Sequence, residues 1–380
     1  MTTSLQNQLD PDFVFDVVVV GAGAAGIGVA VALRHAGIEK FIVLERDRVG
    51  SSFANWPAET RFITPSFPTN SVGMLDLNSV AIGVSPAFSM EVEHPTGPHY
   101  AEHLGAVADH FDLPIYEQTE VNSVTRQNAT FDLDTSEGTL RSKHLIWAAG
   151  EFQFPRKNGF AGAEHCRHTA TVASYDDIEG DDVIVIGGFE SGIDAAYHLA
   201  YRGKRVRVFD SRCPWESTSS DPSITLSPFT LERFREPVFS EQVSLFPNTP
   251  VTSVEQVSDG YHVIDGNGAT HRTSASPLWA GGFDGGHSQI GNLFVSRPDG
   301  LPELSENDES TRTPGLFLCG PSVRHDNHVF CFIYKYRQRF AVVAKAIANS
   351  LDVPAEGLKE YRVWGMYLDD LSCCGGECVC

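Results

Sequence analysis

Positive charge is scarce in this chain. Of 380 residues, 49 are Asp or Glu and 28 are Lys or Arg, of which only 7 are Lys, for a net charge of −21. Nucleic-acid affinity rests on Lys and Arg contacts to phosphate, so this balance argues against a nucleic-acid partner. We read the acidic excess as solubilising charge. No stretch reaches the roughly 18 uncharged apolar residues of a membrane span, so no membrane partner is expected. The opening MTTSLQNQLDPDF lacks the basic and apolar regions of a secretory signal, which points to the cytoplasm. A disulfide framework is missing too. Cys166, Cys213, Cys319 and Cys331 are scattered in or beside apolar runs, as inert buried thiols usually are. The other four cysteines, Cys373, Cys374, Cys378 and Cys380, crowd into the closing CCGGECVC.

A hydrophobic share of 42% and a charged share of 20% are those of a globular protein, and the length suits two or three domains. The first element, 13–20 (FVFDVVVV), reads as a buried parallel strand. It runs into Gly21-Ala22-Gly23-Ala24-Ala25-Gly26, an Ala-rich helix ending near Gly37, and a strand, 40–44, that stops at Glu45. This is a βαβ unit with G-x-G-x-x-G at its first turn. Gly21 permits the tight turn, Gly23 lets a pyrophosphate approach the backbone, and Gly26 lets helix and strand pack closely. The pyrophosphate would sit on the helix N-terminus, and Glu45 would accept from the adenosine ribose.

The plan recurs. Strand 182–186 meets Gly187-Gly188-Phe189-Glu190-Ser191-Gly192, a helix reaches about Tyr201, and strand 205–209 ends at Asp210. Between the two units lies 143–150 (KHLIWAAG), an apolar strand ending in small residues, echoed by 277–282 (PLWAGG). Near the end come 315–321 (GLFLCGP) and one long helix, expected over 329–351. Its Lys335, Arg337 and Arg339 are expected on a solvated face or in salt bridges.

These features resemble the two-dinucleotide-binding-domain flavoproteins, a superfamily that includes pyridine nucleotide-disulfide oxidoreductases and flavin monooxygenases. Within it, 50–57 (GSSFANWP), 94–100 (HPTGPHY), 220–223 (SDPS) and 330–340 (FCFIYKYRQRF) are most similar to bacillithiol-disulfide-reductase-like proteins and flavin monooxygenases. The resemblance implies an α/β fold of two Rossmann-like domains. The FAD domain would cover 1–165 and 285–365, an NAD(P)H-type domain inserted into it 166–284, and a Cys-rich tail 366–380. It implies FAD contacts at Gly21, Gly23, Gly26, Glu45, Ser52, Trp56 and Gly150. Val121, on a short strand after a helix at 100–111, would meet adenine through its backbone. Gly320 and the start of the last helix would face the flavin ring. Gly187, Gly188, Ser191, Gly192, Asp210 and Arg212 would serve NAD(P)H, Asp210 suiting NADH and Arg212 a 2′-phosphate.

The chain departs from the family pattern in three places. Phe189 stands where the close-approach glycine belongs and Glu190 adds a carboxylate beside it, so both are expected to push a pyrophosphate away. No C-x-x-C stands in the inserted domain and no cysteine in the first glycine loop, where Ala24 and Ala25 occupy those places. The monooxygenase fingerprint F-x-G-x-x-x-H is not kept: after Phe160-Ala161-Gly162, Cys166 replaces the histidine, flanked by His165 and His168. A metal at that histidine pair is disfavoured for want of further ligands.

Some superfamily members carry a redox cysteine pair on a C-terminal arm. The tail is therefore read as the catalytic thiols of an NAD(P)H-linked, FAD-dependent reductase acting on a disulfide or a thiolate-bound metal, with Gly375-Gly376 as a joint. The family habit favours a homodimer. The other readings are a flavin monooxygenase or oxidase of a small molecule or thiol, a soft-metal carrier, and a tail without function.

Overall fold

Val17, Val18 and Val19 are sealed from solvent in the strand Val14–Val20. From Val17 to Val20 that strand is apolar without alternation because both of its faces are covered. The computed structural model describes residues 13–68, 75–219 and 221–372, which fall into two compact units. Among the described residues the first takes 13–54, 65–151 and 285–372, and the second takes 55–64 and 152–284.

In the first unit Val14–Val20 lies between Phe41–Leu44 and Gly138–Trp147, parallel to both. Ile115–Tyr116 extends the sheet parallel beyond Phe41–Leu44, and Leu316–Leu318 pairs parallel with the end of Gly138–Trp147. Thr130–Thr135 and Val121–Gln127 complete the sheet as antiparallel strands. Helix Ala24–His35 is buried from Ala24 to Leu33. It packs so closely on helix Phe340–Ser350 that a Cβ on Gly28 would stand 2.1 Å from the Phe340 ring.

The second unit carries a five-stranded sheet, all parallel, in the order Val243–Phe246, Arg205–Phe209, Asp182–Ile186, Leu278–Trp279, Arg167–His168. Helix Glu190–Tyr201 covers one face through Ile193, Ala196 and Leu199. A separate antiparallel sheet joins Val251–Val257, Gly260–Asp265 and Thr270–Thr273. Both units are thus Rossmann-like α/β folds, as the glycine patterns predict.

The long terminal helix is not continuous. It comprises Ile333–Tyr336, a 3₁₀ turn at Arg337–Arg339, and Phe340–Ser350. Its basic residues are not on a solvated face: Lys335, Arg337 and Arg339 are all buried. Arg337 Nη1 donates to the carbonyls of Asp76 and of Ser79, the latter at 2.9 Å. Arg339 forms a two-pronged pair with Asp308 at 2.9 and 3.0 Å and donates to the carbonyls of Leu368 and Glu306. Carbonyls on distant loops draw these guanidiniums inward, and the turn between the two helical pieces sits where they depart.

Candidate dinucleotide sites

The first glycine loop is built around contacts that leave no room for side chains. Gly21 has φ +103°, and a Cβ there would lie 2.6 Å from the Ala148 carbonyl oxygen. A Cβ on Gly26 would lie 1.8 Å from the Gly21 oxygen. Glu45, 5% exposed at the end of Phe41–Leu44, ties the loop to the neighbouring strand. Its Oε2 accepts from Ala22 N–H at 2.7 Å and its Oε1 from Asp47 N–H at 2.9 Å. The N–H groups of Gly23, Ala24 and Ala25, at the helix start, meet no acceptor among the described residues, and a Cβ on Gly23 would find nothing within 4 Å. Free donors, open space and the positive end of a twelve-residue helix form a cradle of the kind that takes a pyrophosphate.

The second loop repeats this frame almost atom for atom. Gly187 has φ +99°, with its virtual Cβ 2.6 Å from the Ala280 oxygen; that of Gly192 is 1.9 Å from the Gly187 oxygen. Asp210 takes the part of Glu45, accepting Gly188 N–H and Arg212 N–H at 2.7 Å each. Gly187 N–H donates to Phe209 at 2.8 Å, as Gly21 N–H does to Leu44 at 2.8 Å. The N–H groups of Phe189, Glu190 and Ser191 meet no acceptor among the described residues.

The Phe189 ring and the Glu190 carboxylate, both expected to push a pyrophosphate away, have their partners outside the loop. Phe189 has φ −88° and ψ −164°, against −83° and −168° for Gly23, so the loop keeps its backbone without the glycine. Its ring packs on the apolar cluster around Ile193, Leu226 and Phe239. The Glu190 carboxylate accepts from Ser227 N–H and Thr230 Oγ1, each at 2.5 Å, which uses its charge on a neighbouring helix start. Burial raises its pKa, while the Thr230 and Ser227 bonds oppose that rise.

Gly150 and Gly320 flank the first loop. Gly150 has φ +67° and open space at its Cβ position; Gly320 has φ +111°, with its virtual Cβ 3.2 Å from the Ala25 methyl. Glu151 follows Gly150, and burial raises its pKa, opposed by the charge of Arg324. Ser52 lies in the short helix Ser51–Ala54 of the first unit. Trp56 belongs to the second unit, its ring 4.9 Å from Phe62 and 6.2 Å from Phe152. Val121 opens the strand Val121–Gln127; the short strand that follows helix Gly97–His110 is instead Ile115–Tyr116. The Arg212 side chain is exposed beside Asp210. Cys373, Cys374, Cys378 and Cys380 lie outside the described residues.

Of the scattered thiols only Cys319 is fully buried; Cys166, Cys213 and Cys331 are half-buried. Burial, with Glu164 nearby, pushes Cys166 up to about 12, and burial drives Cys319 well above its ordinary value. Among the described residues no cluster of His, Cys, Asp and Glu could hold a metal ion. His168 Nε2 pairs with the Gly282 carbonyl at 3.1 Å. No helix among the described residues is long and apolar enough to cross a membrane. One neighbour of the second loop escaped the sequence reading: Trp215, whose ring lies against Gly188. The available signal was spacing, since Trp215 follows Asp210 by the same five positions that separate Gly50 from Glu45.

Two Rossmann-like folds, each with the same glycine loop and acid, define a two-dinucleotide oxidoreductase. A model of the pyridine nucleotide-disulphide oxidoreductase family matches residues 18–320, and the chain belongs to that family of FAD-dependent, NAD(P)H-linked oxidoreductases. Bacilliredoxin reductase Bdr of Bacillus subtilis is 24% identical over 339 residues, covering 87% of this chain and 97% of that protein. The CzcO-like oxidoreductase of Geobacillus kaustophilus is 27% identical over 191 residues. That match covers 49% of this chain, and the chain spans only about half (52%) of that relative's length. Among solved structures, bacillithiol disulfide reductase Bdr from Staphylococcus aureus has a TM-score of 0.71 at 20% identity, covering 88% of this chain and 98% of that one. A flavin-containing monooxygenase from Stenotrophomonas maltophilia has a TM-score of 0.68 at 15% identity, with the same coverage. At these identities the structural likeness speaks for the fold.

Proposed function

We propose that this protein is an NAD(P)H-linked flavin reductase of a disulfide or thiolate-bound substrate, with the C-terminal cysteines as its thiol shuttle. The repeated loop carries the reading, because two loops of one backbone geometry in one chain suit a donor dinucleotide and an acceptor dinucleotide. FAD, when bound, supplies the passage of two electrons from nicotinamide to sulfur. Gly21, Gly23, Gly26, Glu45, Ser52, Val121, Gly150 and Gly320 would hold it; Trp56, packed in the second unit, is the weakest of the inferred contacts. Gly187, Gly188, Ser191, Gly192, Asp210 and Arg212 would hold NAD(P)H. The first unit would then be the FAD domain and the second the NAD(P)H domain, in a homodimer.

The chain's own groups do three things. The free N–H donors at each helix start bind phosphate charge. Glu45 and Asp210 fix the loop and turn their remaining lone pairs toward a ribose. Burial keeps Cys166 and Cys319 protonated at neutral pH, so neither offers a thiolate for exchange. We assign the thiol chemistry to the tail. There a disulfide taking up two electrons and two protons becomes two thiols, which exchange with a substrate disulfide. The relatives named as reductases of bacilliredoxin and of bacillithiol disulfide support a disulfide substrate.

The test compares the full chain with a truncation after Asp370, both loaded with FAD and reduced anaerobically by NADPH or NADH. The truncated form is expected to bind FAD and accept hydride normally but to lose disulfide turnover at least tenfold. Equal disulfide turnover by both forms refutes the shuttle. Oxygen-dependent NAD(P)H consumption that inserts oxygen into a small thiol, with no disulfide turnover by either form, supports the monooxygenase reading instead.

A further inference from the structure

The two loops differ in what covers their second residue. In the first loop that residue is Ala22, fully buried, and the chain beyond the acid returns to it through Gly50, whose N–H donates to the Ala22 carbonyl at 3.0 Å. In the second loop it is Gly188, and the chain beyond the acid returns after the same five-residue step with the side chain of Trp215. A Cβ on Gly188 would lie 2.4 Å from Trp215 Cζ3, 3.1 Å from Cε3 and 3.2 Å from the Asp210 Cβ. The absent methyl is therefore what admits the indole. Trp215 stands in the short turn Pro214–Glu216 and is only half-buried, resting on the apolar cluster that also takes Phe189.

Ring, loop and acid meet at one point, and the acid marks the adenosine ribose in folds of this kind. We propose that Trp215 is the aromatic wall of the adenosine half of the second site, against which the bound adenosine packs while Asp210 takes the ribose and Arg212 a 2′-phosphate. Gly188 then has a role besides turn geometry: it makes room for that wall. At the matching step of the first loop Gly50 cannot supply such a wall, since it has φ +72° and its virtual Cβ would lie 2.7 Å from Ala101 Cα. The proposal rests on reading the second loop as the nicotinamide dinucleotide site.

The test is calorimetric binding of 2′,5′-ADP, 5′-AMP and nicotinamide mononucleotide to the FAD-loaded full chain. Trp215→Ala is expected to weaken 2′,5′-ADP and 5′-AMP roughly 5- to 150-fold, the range for loss of one base–aromatic stack. Nicotinamide mononucleotide binding and the flavin spectrum should stay unchanged. Trp215→Phe should bind within a few-fold of wild type. Gly188→Ala, which places a methyl in the ring's position, should weaken 2′,5′-ADP as Trp215→Ala does, and decides the matter if Trp215→Ala does not fold. Adenosine binding that is unchanged or tighter in Trp215→Ala or Gly188→Ala overturns the wall while leaving the donor site intact. A wild-type protein that binds neither 2′,5′-ADP nor 5′-AMP overturns the donor site, and the wall with it.

Discussion

Replacing each acid by its amide separates the two loops. Glu45 and Asp210 each accept two backbone N–H bonds, at 2.7 and 2.9 Å and at 2.7 and 2.7 Å. In Glu45→Gln the amide oxygen keeps one donor, while the NH₂ group is forced toward the other. One charge-assisted bond is lost, about 1.5–3 kcal/mol, and a buried N–H is left facing a donor, about 1–3 kcal/mol more. Because Glu45 is 5% exposed, water cannot compensate. The sum, about 2.5–6 kcal/mol, bounds the loss of FAD affinity at roughly 60- to 20,000-fold, since each 1.4 kcal/mol is tenfold. Asp210→Asn breaks the same pattern in a half-exposed carboxylate, so its ceiling is the first term alone, roughly 10- to 150-fold on 2′,5′-ADP. The assays are FAD titration of the stripped protein, read by flavin fluorescence, and calorimetry with 2′,5′-ADP on the FAD-loaded form. Each variant should injure one ligand and spare the other. Glu45→Gln binding FAD within threefold of wild type, or Asp210→Asn shedding FAD, would refute the idea that each acid organises its own cradle.

Three further outcomes follow from buried groups. Phe189→Gly should not tighten 2′,5′-ADP, because the ring packs on the core; it should instead lower the unfolding free energy by about 2–3 kcal/mol in urea denaturation. Asp308→Ala strands the Arg339 guanidinium, 1% exposed, and should cost about 3–5 kcal/mol by the same measurement. Burial lowers His103 to about 4. Its neutral form is therefore the one the fold accepts, and its contribution is complete above the unfolded value of about 6.5. That contribution is lost as pH falls from there toward 4, reaching about 3 kcal/mol. A His103→Gln variant should show a correspondingly flatter urea midpoint between pH 7 and 4.5, and an unchanged slope would refute the assignment.

The glycine spacings and the acids at the strand ends were legible because each states a local constraint: a positive φ at Gly21 and Gly187, and no room for a Cβ at Gly26 and Gly192. The strands were legible because full burial requires unbroken apolar runs. What the sequence could not convey are contacts settled by distant backbone. Arg337 reads as a polar position on a helix, yet its acceptors, Asp76 and Ser79, are 261 and 258 residues away. Glu190 reads as a repulsive charge beside a phosphate, yet Ser227 and Thr230 claim it from 37 and 40 residues on.

Phe189 shows which part of the motif argument is about the loop and which about the ligand. The middle glycine of G-x-G-x-x-G is usually credited to close ligand approach, and a side chain there is expected to abolish binding. Gly23 and Phe189 share one backbone conformation within 5° in each angle, so a side chain is compatible with the loop. The shared backbone fixes the Cβ in the space that is open at Gly23, so the rotamer of the ring and the neighbour that receives it decide where the bulk goes, and here an apolar cluster receives the ring. At Gly188 the logic runs the other way: the position demands smallness not for the ligand but for Trp215. The two loops thus share a frame of glycines, strand ends and acid, and differ in the side chains set against it. Those differences are where the preferences of the two sites must be encoded.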